Sequence, residues 1–252
     1  MTTDAASQPP AAPLDRPAAV LWDFDGTLVD SEPLWMRAQH ALIPQWGGTW
    51  SDAQAHTLVG NALEESGRII AEAVAATPGG RTDLTPSFVV ESLVERVVVD
   101  LRSLPIDWRP GAEELLDGLR VAGIPCALVS ASYRVILEAV LERLPEGTFD
   151  VVVAGDEVTR GKPDPEPYLT ACRRLGVAPE DTVVLEDSIP GCASGTASGA
   201  VVVGITNMVE LTPAPRRVVI DTLAGVGVEE LSAHFRSARR GPVPDGAFRG
   251  GV

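Results

Sequence analysis

Two aspartates one residue apart, Asp23 and Asp25, leave a short apolar run and enter a turn at Gly26 and Thr27. Carboxylates at the exit of a buried segment are costly unless a cation faces them. Glycine at position 26 permits a tight turn and a close approach of backbone to ligand. Alone, this cluster reads as well as an acidic turn capping a helix, and Asp-x-Asp-Gly also opens calcium loops. The remainder of a calcium loop, with its terminal Glu at the required spacing, is absent.

Three more clusters carry chemistry of the same kind. Ser130-Ala131-Ser132 ends a second apolar run, where a hydroxyl serves as an N-cap or, at a helix N-terminus, as part of an anion site. Gly161-Lys162-Pro163-Asp164-Pro165 holds the only lysine among 20 basic residues. A lone lysine in a chain that otherwise uses arginine suits a position needing a compact point charge instead of a planar fork. Glu186-Asp187-Ser188 leaves a further apolar run, and two adjacent carboxylates there suit a hard cation bound by oxygen.

The elements that must position these clusters are short buried strands. Apolar runs at 18–24, 126–130, 151–154, 183–186 and 201–205, with another at 218–220, read as strands. Helical patterns at 112–122, 133–144, 166–175 and 190–198 lie between them. Strands alternating with helices predict a doubly wound, Rossmann-like parallel α/β sheet with helices on both faces. Ligands bind outside the carboxyl ends of such strands. All four clusters fall at those ends, which gathers four carboxylates, one lysine and one hydroxyl about a common point. Magnesium would neutralise part of that acidity and part of a substrate phosphate.

The interval 33–108 lacks the alternation and carries amphipathic patterns at 61–76 and 85–103, the second with Val90, Leu93, Val94, Val97 and Leu101 on one face. It reads as an α-helical cap inserted after the first strand, with linkers near 32–33 and 105–110 and with Trp35, Trp46 and Trp50 inside it. The expected division is a disordered leader at 1–16, a catalytic core at 17–32 and 109–238, the cap at 33–108 and a flexible tail at 239–252.

Composition narrows the partners. With 20 basic and 35 acidic residues, the formal charge of −15 argues against nucleic acid and anionic membrane. No apolar run approaches the ~18 residues of a membrane span. Residues 1–16 lack the basic start and apolar stretch of a secretory signal, so a cytoplasmic location is expected. Cys126, Cys172 and Cys192 match no zinc spacing and read as buried free thiols.

Asp23-Phe24-Asp25-Gly26-Thr27, Ser130, Lys162 and Glu186-Asp187, in that order, resemble the four signature motifs of the haloacid dehalogenase-like superfamily of phosphohydrolases. The inserted helices resemble the cap of its β-phosphoglucomutase and sugar-phosphatase branch. The resemblance covers residues 18–205. It implies a magnesium-dependent phosphatase acting on a small phosphate monoester, with a sugar or polyol phosphate preferred. Asp23 would be the nucleophile and Asp25 the general acid and base. Ser130, with Ala131 beside it, and Lys162 would hold the phosphoryl oxygens, and Thr27 would add a polar contact. Asp187, Asp23 and the backbone carbonyl of Asp25 would bind magnesium, with Glu186 supporting that site directly or through water.

Within the superfamily, Asp25 argues against dehalogenation, and the lysine-free cap argues against Schiff-base phosphonate chemistry. A β-phosphoglucomutase is the main rival. It uses basic cap residues where this chain has Trp35 and Leu63, which favours a phosphatase. A non-catalytic phospholigand sensor is the rival of another class, and the intact set Asp23, Asp25, Lys162 and Asp187 argues against it. Trp35, Arg37, His56, Asn61, Glu64 and Arg68 are the cap residues expected to reach substrate. A monomer or weak dimer is expected.

Overall fold

A computed structural model describes residues 14–58 and 62–239. Most of the expected leader, nearly all of the expected tail and the cap candidate Asn61 lie outside the described residues.

The chain runs β1 (Ala19–Trp22), α1 (Glu32–Leu42), α2 (Asp52–His56), α3 (Leu63–Ala76), α4 (Pro86–Ser103), α5 (Ala112–Val121), β2 (Cys126–Val129), α6 (Arg134–Leu141) and β3 (Val151–Val153). It continues through α7 (Glu166–Leu175), β4 (Thr182–Glu186), α8 (Ile189–Ser198), β5 (Val201–Ile205), β6 (Arg217–Ile220) and α9 (Val228–Arg239). The six strands form one parallel sheet in the order β3-β2-β1-β4-β5-β6. This is the doubly wound architecture that the alternation of runs predicts.

The inner strands are buried and largely apolar because helices cover both faces of a parallel sheet. β1 shows this best, since Ala19, Val20, Leu21 and Trp22 are all fully buried. Val20 pairs with Cys126 on one side and Val183 on the other, which fixes the register of three strands together. Successive residues supply opposite faces. Val20, Trp22, Val183 and Leu185 join one apolar cluster, while Leu21, Val184, Ala127 and Val129 join the second. Each fully buried Val or Leu contributes roughly 1.5–3 kcal/mol.

Between β1 and α5 the described residues carry helices. α4 starts on Pro86, with the Thr85 hydroxyl accepting from the Phe88 N–H. Its β-branched stretch is helical because Val94, Val97, Val98 and Leu101 are buried, and packing overrides the modest propensity penalty. The two chain segments joining these helices to the sheet run side by side. Val29 bridges Trp108 in antiparallel fashion, and the Asp30 N–H donates to the Asp107 carbonyl at 2.8 Å.

Three boundaries differ from expectation. The helix expected at 133–144 is α6, which closes at Leu141. α1 lies in the interval read as helical but ahead of the two helices bounded within it, and α9 arises where no helix is expected. In α9 the buried residues Leu231, Phe235 and Ala238 recur at helical spacing within an otherwise polar segment, so the apolar signal is one narrow stripe. That helix runs through Arg239, the first residue of the expected tail.

Candidate active site

The sheet order reverses at β1, since the chain passes to β2 on one side and to β4 on the other. The crevice at such a switch point lies beyond the carboxyl ends of the strands. Asp23 directly follows β1, Ser130 follows β2, and Glu186 ends β4 with Asp187 next to it. Lys162 arrives on the segment between β3 and α7.

Lys162 is the hub. Its ammonium donates to Asp23 Oδ1 at 2.6 Å, to Glu186 Oε1 at 2.7 Å and to the Val129 carbonyl at 3.0 Å. Its side chain is 7% exposed and lies 5.1 Å from the centre of the Tyr168 ring. Three donors in three directions match a compact ammonium better than a flat guanidinium.

Glu186 is fully engaged by protein. Oε1 accepts from Lys162 and from the Tyr168 hydroxyl at 2.9 Å, and Oε2 accepts from the Ser188 N–H at 3.1 Å and hydroxyl at 2.9 Å. Those contacts use its lone pairs, although its oxygens lie close enough to Asp23 and Asp187 to share an ion with them. Glu186 therefore anchors Lys162, and Asp23 and Asp187 are the carboxylates of the three left with more free acceptor positions. Gly191 in the first turn of α8 makes room for this carboxylate, because a Cβ there would run into it.

Asp25 sits among hydroxyls. Ser31 donates to its Oδ1, while Ser132 at 2.7 Å and Ser130 at 3.2 Å donate to its Oδ2. The Gly26 N–H donates to the Val29 carbonyl at 2.8 Å, closing the turn that carries Asp25. Gly26 has φ +82°, and a Cβ there would collide with the Asp187 carboxylate, so glycine is required twice over. Asp187 is held by the Asn207 amide at 2.9 Å and, at 3.4 Å, by the Thr27 hydroxyl. Ala131 is exposed beside Ser130.

Asp23, Glu186 and Asp187 can bring one carboxylate oxygen each within 4.8 Å of one another. Two like charges 4 Å apart repel by about 4 kcal/mol at an effective dielectric of about 20. Burial and then Glu186 push the Asp23 carboxyl well above the usual range, against the pull of Lys162. Burial chiefly, with Glu186 adding, pushes Asp187 up to about 6 although Asn207 opposes it. Lys162 moves the other way: burial alone would lower its pKa, and Asp23 and Glu186 raise it instead. The raised carboxyl favours a shared proton, whereas the raised ammonium favours an ion pair. The 2.6 Å contact decides for the ion pair at Asp23. Hard oxygen donors carrying this excess negative charge fit a divalent cation such as magnesium, which would reverse both carboxylate shifts.

The cap candidates do not assemble as a group. Arg68 pairs with Glu65 at 2.6 Å and Glu72 at 2.7 Å on the exposed face of α3. Arg37 faces Asp100 at 3.7 Å and lines a cavity of about 240 Å³ between the two joining segments, with Leu34, Leu104 and Ile106. Trp35 packs partly buried against the larger apolar cluster. His56 is exposed at the end of α2. Glu64 accepts from the Tyr133 hydroxyl, next to Ser132. Four contributors escape the sequence argument: Ser31, Ser132 as an Asp25 partner, Tyr168 and Asn207. Ser31 and Ser132 flank the clusters and could be found by proximity in sequence, whereas Tyr168 and Asn207 reach the site only through packing.

Residues 17–199 match the family model of haloacid dehalogenase-like hydrolases. The chain is a haloacid dehalogenase-like hydrolase. It is 33% identical over 184 residues to a phosphorylated carbohydrates phosphatase of Thermotoga maritima, covering 72% of this chain and 81% of that one. It is 31% identical over 198 residues to a bifunctional riboflavin kinase/FMN phosphatase of Arabidopsis thaliana, covering 77% of this chain and spanning 50% of the plant protein's length. The crystal structure of CbbY from Rhodobacter sphaeroides in complex with phosphate superposes with a TM-score of 0.72 at 29% identity, covering 84% of this chain and 96% of that one. The three cysteines are free and buried. Among the described residues no helix is long and apolar enough to cross a membrane.

Proposed function

We propose that this hydrolase removes phosphate from a small sugar or polyol phosphate through an aspartyl-phosphate intermediate on Asp23. The observation that carries the reading is the pairing of Asp23 with Lys162 at 2.6 Å, while Asp25, two residues on, is held separately by three hydroxyls. One carboxylate faces a cation suited to phosphoryl oxygens, and the other faces the side from which a leaving group departs. The named activities of the two curated relatives are phosphatases, which supports the same reading.

In the first step an Asp23 carboxylate oxygen bonds to phosphorus, the bond from phosphorus to the alcohol oxygen breaks, and Asp25 gives its proton to that oxygen. In the second, Asp25 takes a proton from water, whose oxygen attacks phosphorus as the Asp23–phosphorus bond breaks. The sum is phosphate monoester plus water giving alcohol plus phosphate. Lys162, the Ser130 hydroxyl and the Ala131 N–H would hold the phosphoryl oxygens, with Ser130 turning from Asp25 to the phosphate. Asp23, Asp187 and the Asp25 carbonyl would hold magnesium, which supplies positive charge against the phosphoryl group. Residues 33–108 act as a cap over this rim, with the paired segments at Val29 and Trp108 as its hinge.

A mutase must grip a second phosphate. Arg68 is committed to Glu65 and Glu72 of its own helix and Arg37 faces Asp100 of α4, which leaves the phosphatase as the better reading. Purified protein with magnesium is expected to release inorganic phosphate from sugar and polyol monophosphates and to stop on chelation by EDTA. Isomerisation of β-glucose 1-phosphate without free phosphate would replace this reading with the mutase.

A further inference from the structure

The turn after β1 and the carboxylate after β4 meet at one side chain from a third strand. β5 runs parallel to β4 with Gly204 opposite Glu186, so the residues that leave β5 travel beside Asp187. The Thr206 N–H donates to the Ile220 carbonyl at 2.9 Å, which pins the exit of β5 to the end of β6. Asn207 follows, half-buried, and its amide donates to Asp187 Oδ2 at 2.9 Å and, in a longer contact, to the Gly26 carbonyl at 3.4 Å. Both partners are acceptors, so the amide must turn its nitrogen toward them, and that nitrogen carries two hydrogens. The place is tightly filled, because a Cβ at Gly26 would collide with both Asp187 Oδ2 and the Asn207 amide. Asp187 Oδ1 is held far less firmly, with the Thr27 hydroxyl at 3.4 Å.

We propose that Asn207 is a positioning residue for the divalent cation, holding Asp187 by Oδ2 and so presenting Oδ1 to the ion. This inference rests on the cation site read above for Asp23 and Asp187. Asp23, Glu186 and Asp187 set three carboxylates against the single ammonium of Lys162, and that surplus of negative charge is what draws the ion. A basic side chain at position 207 would cancel the surplus and compete with the ion. A carboxylate there would push Asp187 away. A neutral amide orients Asp187 and leaves its charge for the cation, while its second hydrogen ties the same point to the turn that carries Asp25.

The test is calorimetric titration of magnesium into the cation-free wild type, Asn207→Leu and Asn207→Gln. It is joined to a thermal melt without the ion and to kcat and KM for a hexitol phosphate at saturating magnesium. Asn207→Leu keeps the size and removes both donors, so the magnesium Kd should rise about 10–100-fold. At saturating magnesium, kcat and the KM for the ester should stay within about threefold of wild type, because the groups that touch substrate are intact. Asn207→Gln carries the same two donors on a stem one methylene longer and should recover most of the lost affinity. Asn207→Ser, with one donor, is read in place of the leucine variant if the melt shows that variant unfolded, and its Kd should rise about tenfold. Wild-type magnesium affinity in the folded donor-deleted variant overturns the inference and leaves the cation and the phosphatase standing. An equal loss of affinity in the leucine and glutamine variants, with an equal fall in melting temperature, also overturns it and makes Asn207 a strut of the fold. A wild type that releases phosphate yet binds no magnesium removes the cation reading and this inference together.

Discussion

The strand-end rim and the helical cap treat their charged residues in opposite ways. At the rim, Lys162 ties Asp23 to Glu186, while Ser130 and Ser132 hold Asp25 and Asn207 holds Asp187, so partners from separated parts of the chain meet at hydrogen-bond distance. In the helical segment between β1 and α5 the partners are local to that segment: Arg68 pairs with Glu65 and Glu72 along one helix, and Arg37 with Asp100 between two. Backbone register dictates the rim, because three parallel strands pinned by Val20, Cys126 and Val183 deliver their end residues to one edge. Side-chain packing dictates the cap. Topology therefore fixes the charged rim, while side-chain packing sets what the helical segment presents.

Removing the reacting carboxylate tests the rim most severely. Asp23→Asn should lower kcat by about 10⁴-fold or more, since no other group replaces the attacking oxygen. It should leave the cation-free melting temperature equal or higher, because a crowded buried carboxylate is lost. Phosphate release and a thermal melt on the same preparation check both. Turnover within tenfold of wild type would mean that the carboxylate facing Lys162 is structural.

Lys162→Met comes next. It strands Asp23 and Glu186 without their shared cation, and breaking one side of a buried ion pair costs about 3–5 kcal/mol. Activity should fall about 10³-fold, and Lys162→Arg should not restore it, because three acceptors in three directions do not suit a planar fork. Urea unfolding separates the stability loss from the catalytic one.

How much of this was readable beforehand follows the same division. The runs ending at Asp23, Ser130 and Glu186 mark β1, β2 and β4, because a strand buried on both faces shows a nearly continuous apolar run. The helix α7 matches its expected span of 166–175. α9 was hidden because three buried residues in a polar segment leave little contrast. Tyr168 was hidden because a buried aromatic in an amphipathic helix reads as core, and only the fold shows its hydroxyl on Glu186. Arg37 and Arg68 looked available because sequence shows their charge and not their partners.

Cation binding should sharpen the picture of Asp187. Its carboxyl in the cation-free fold is pushed up to about 6, above its unfolded value. A raised folded value stabilises the cation-free fold fully below the unfolded value and ceases to do so as pH rises through 6. Magnesium must displace that proton, so its affinity should weaken by about tenfold per pH unit below 6 and level off above it. Calorimetric titration at pH 5, 6 and 7 measures this. A flat profile would detach Asp187 from the cation. Smaller still, Tyr168→Phe removes one of Glu186's donors and should cost about 1 kcal/mol with roughly a fivefold loss in kcat/KM.

The smallest effect is the one that separates the two regions most cleanly. Arg68 is charged, lies within the interval 33–108 and, by sequence, is a candidate substrate ligand. In the fold its guanidinium is taken up by Glu65 and Glu72 on the exposed face of α3. Exposed pairs of that kind contribute little, so Arg68→Ala should leave kcat/KM within about twofold of wild type for neutral and anionic substrates alike. Lys162→Met, at the rim, should depress turnover of both. A steady-state comparison of the two variants on one panel decides the matter. If Arg68→Ala were to depress turnover of the anionic substrates selectively, α3 would have to turn that face toward the rim when substrate binds, and the cap would supply the cation that this arrangement withholds.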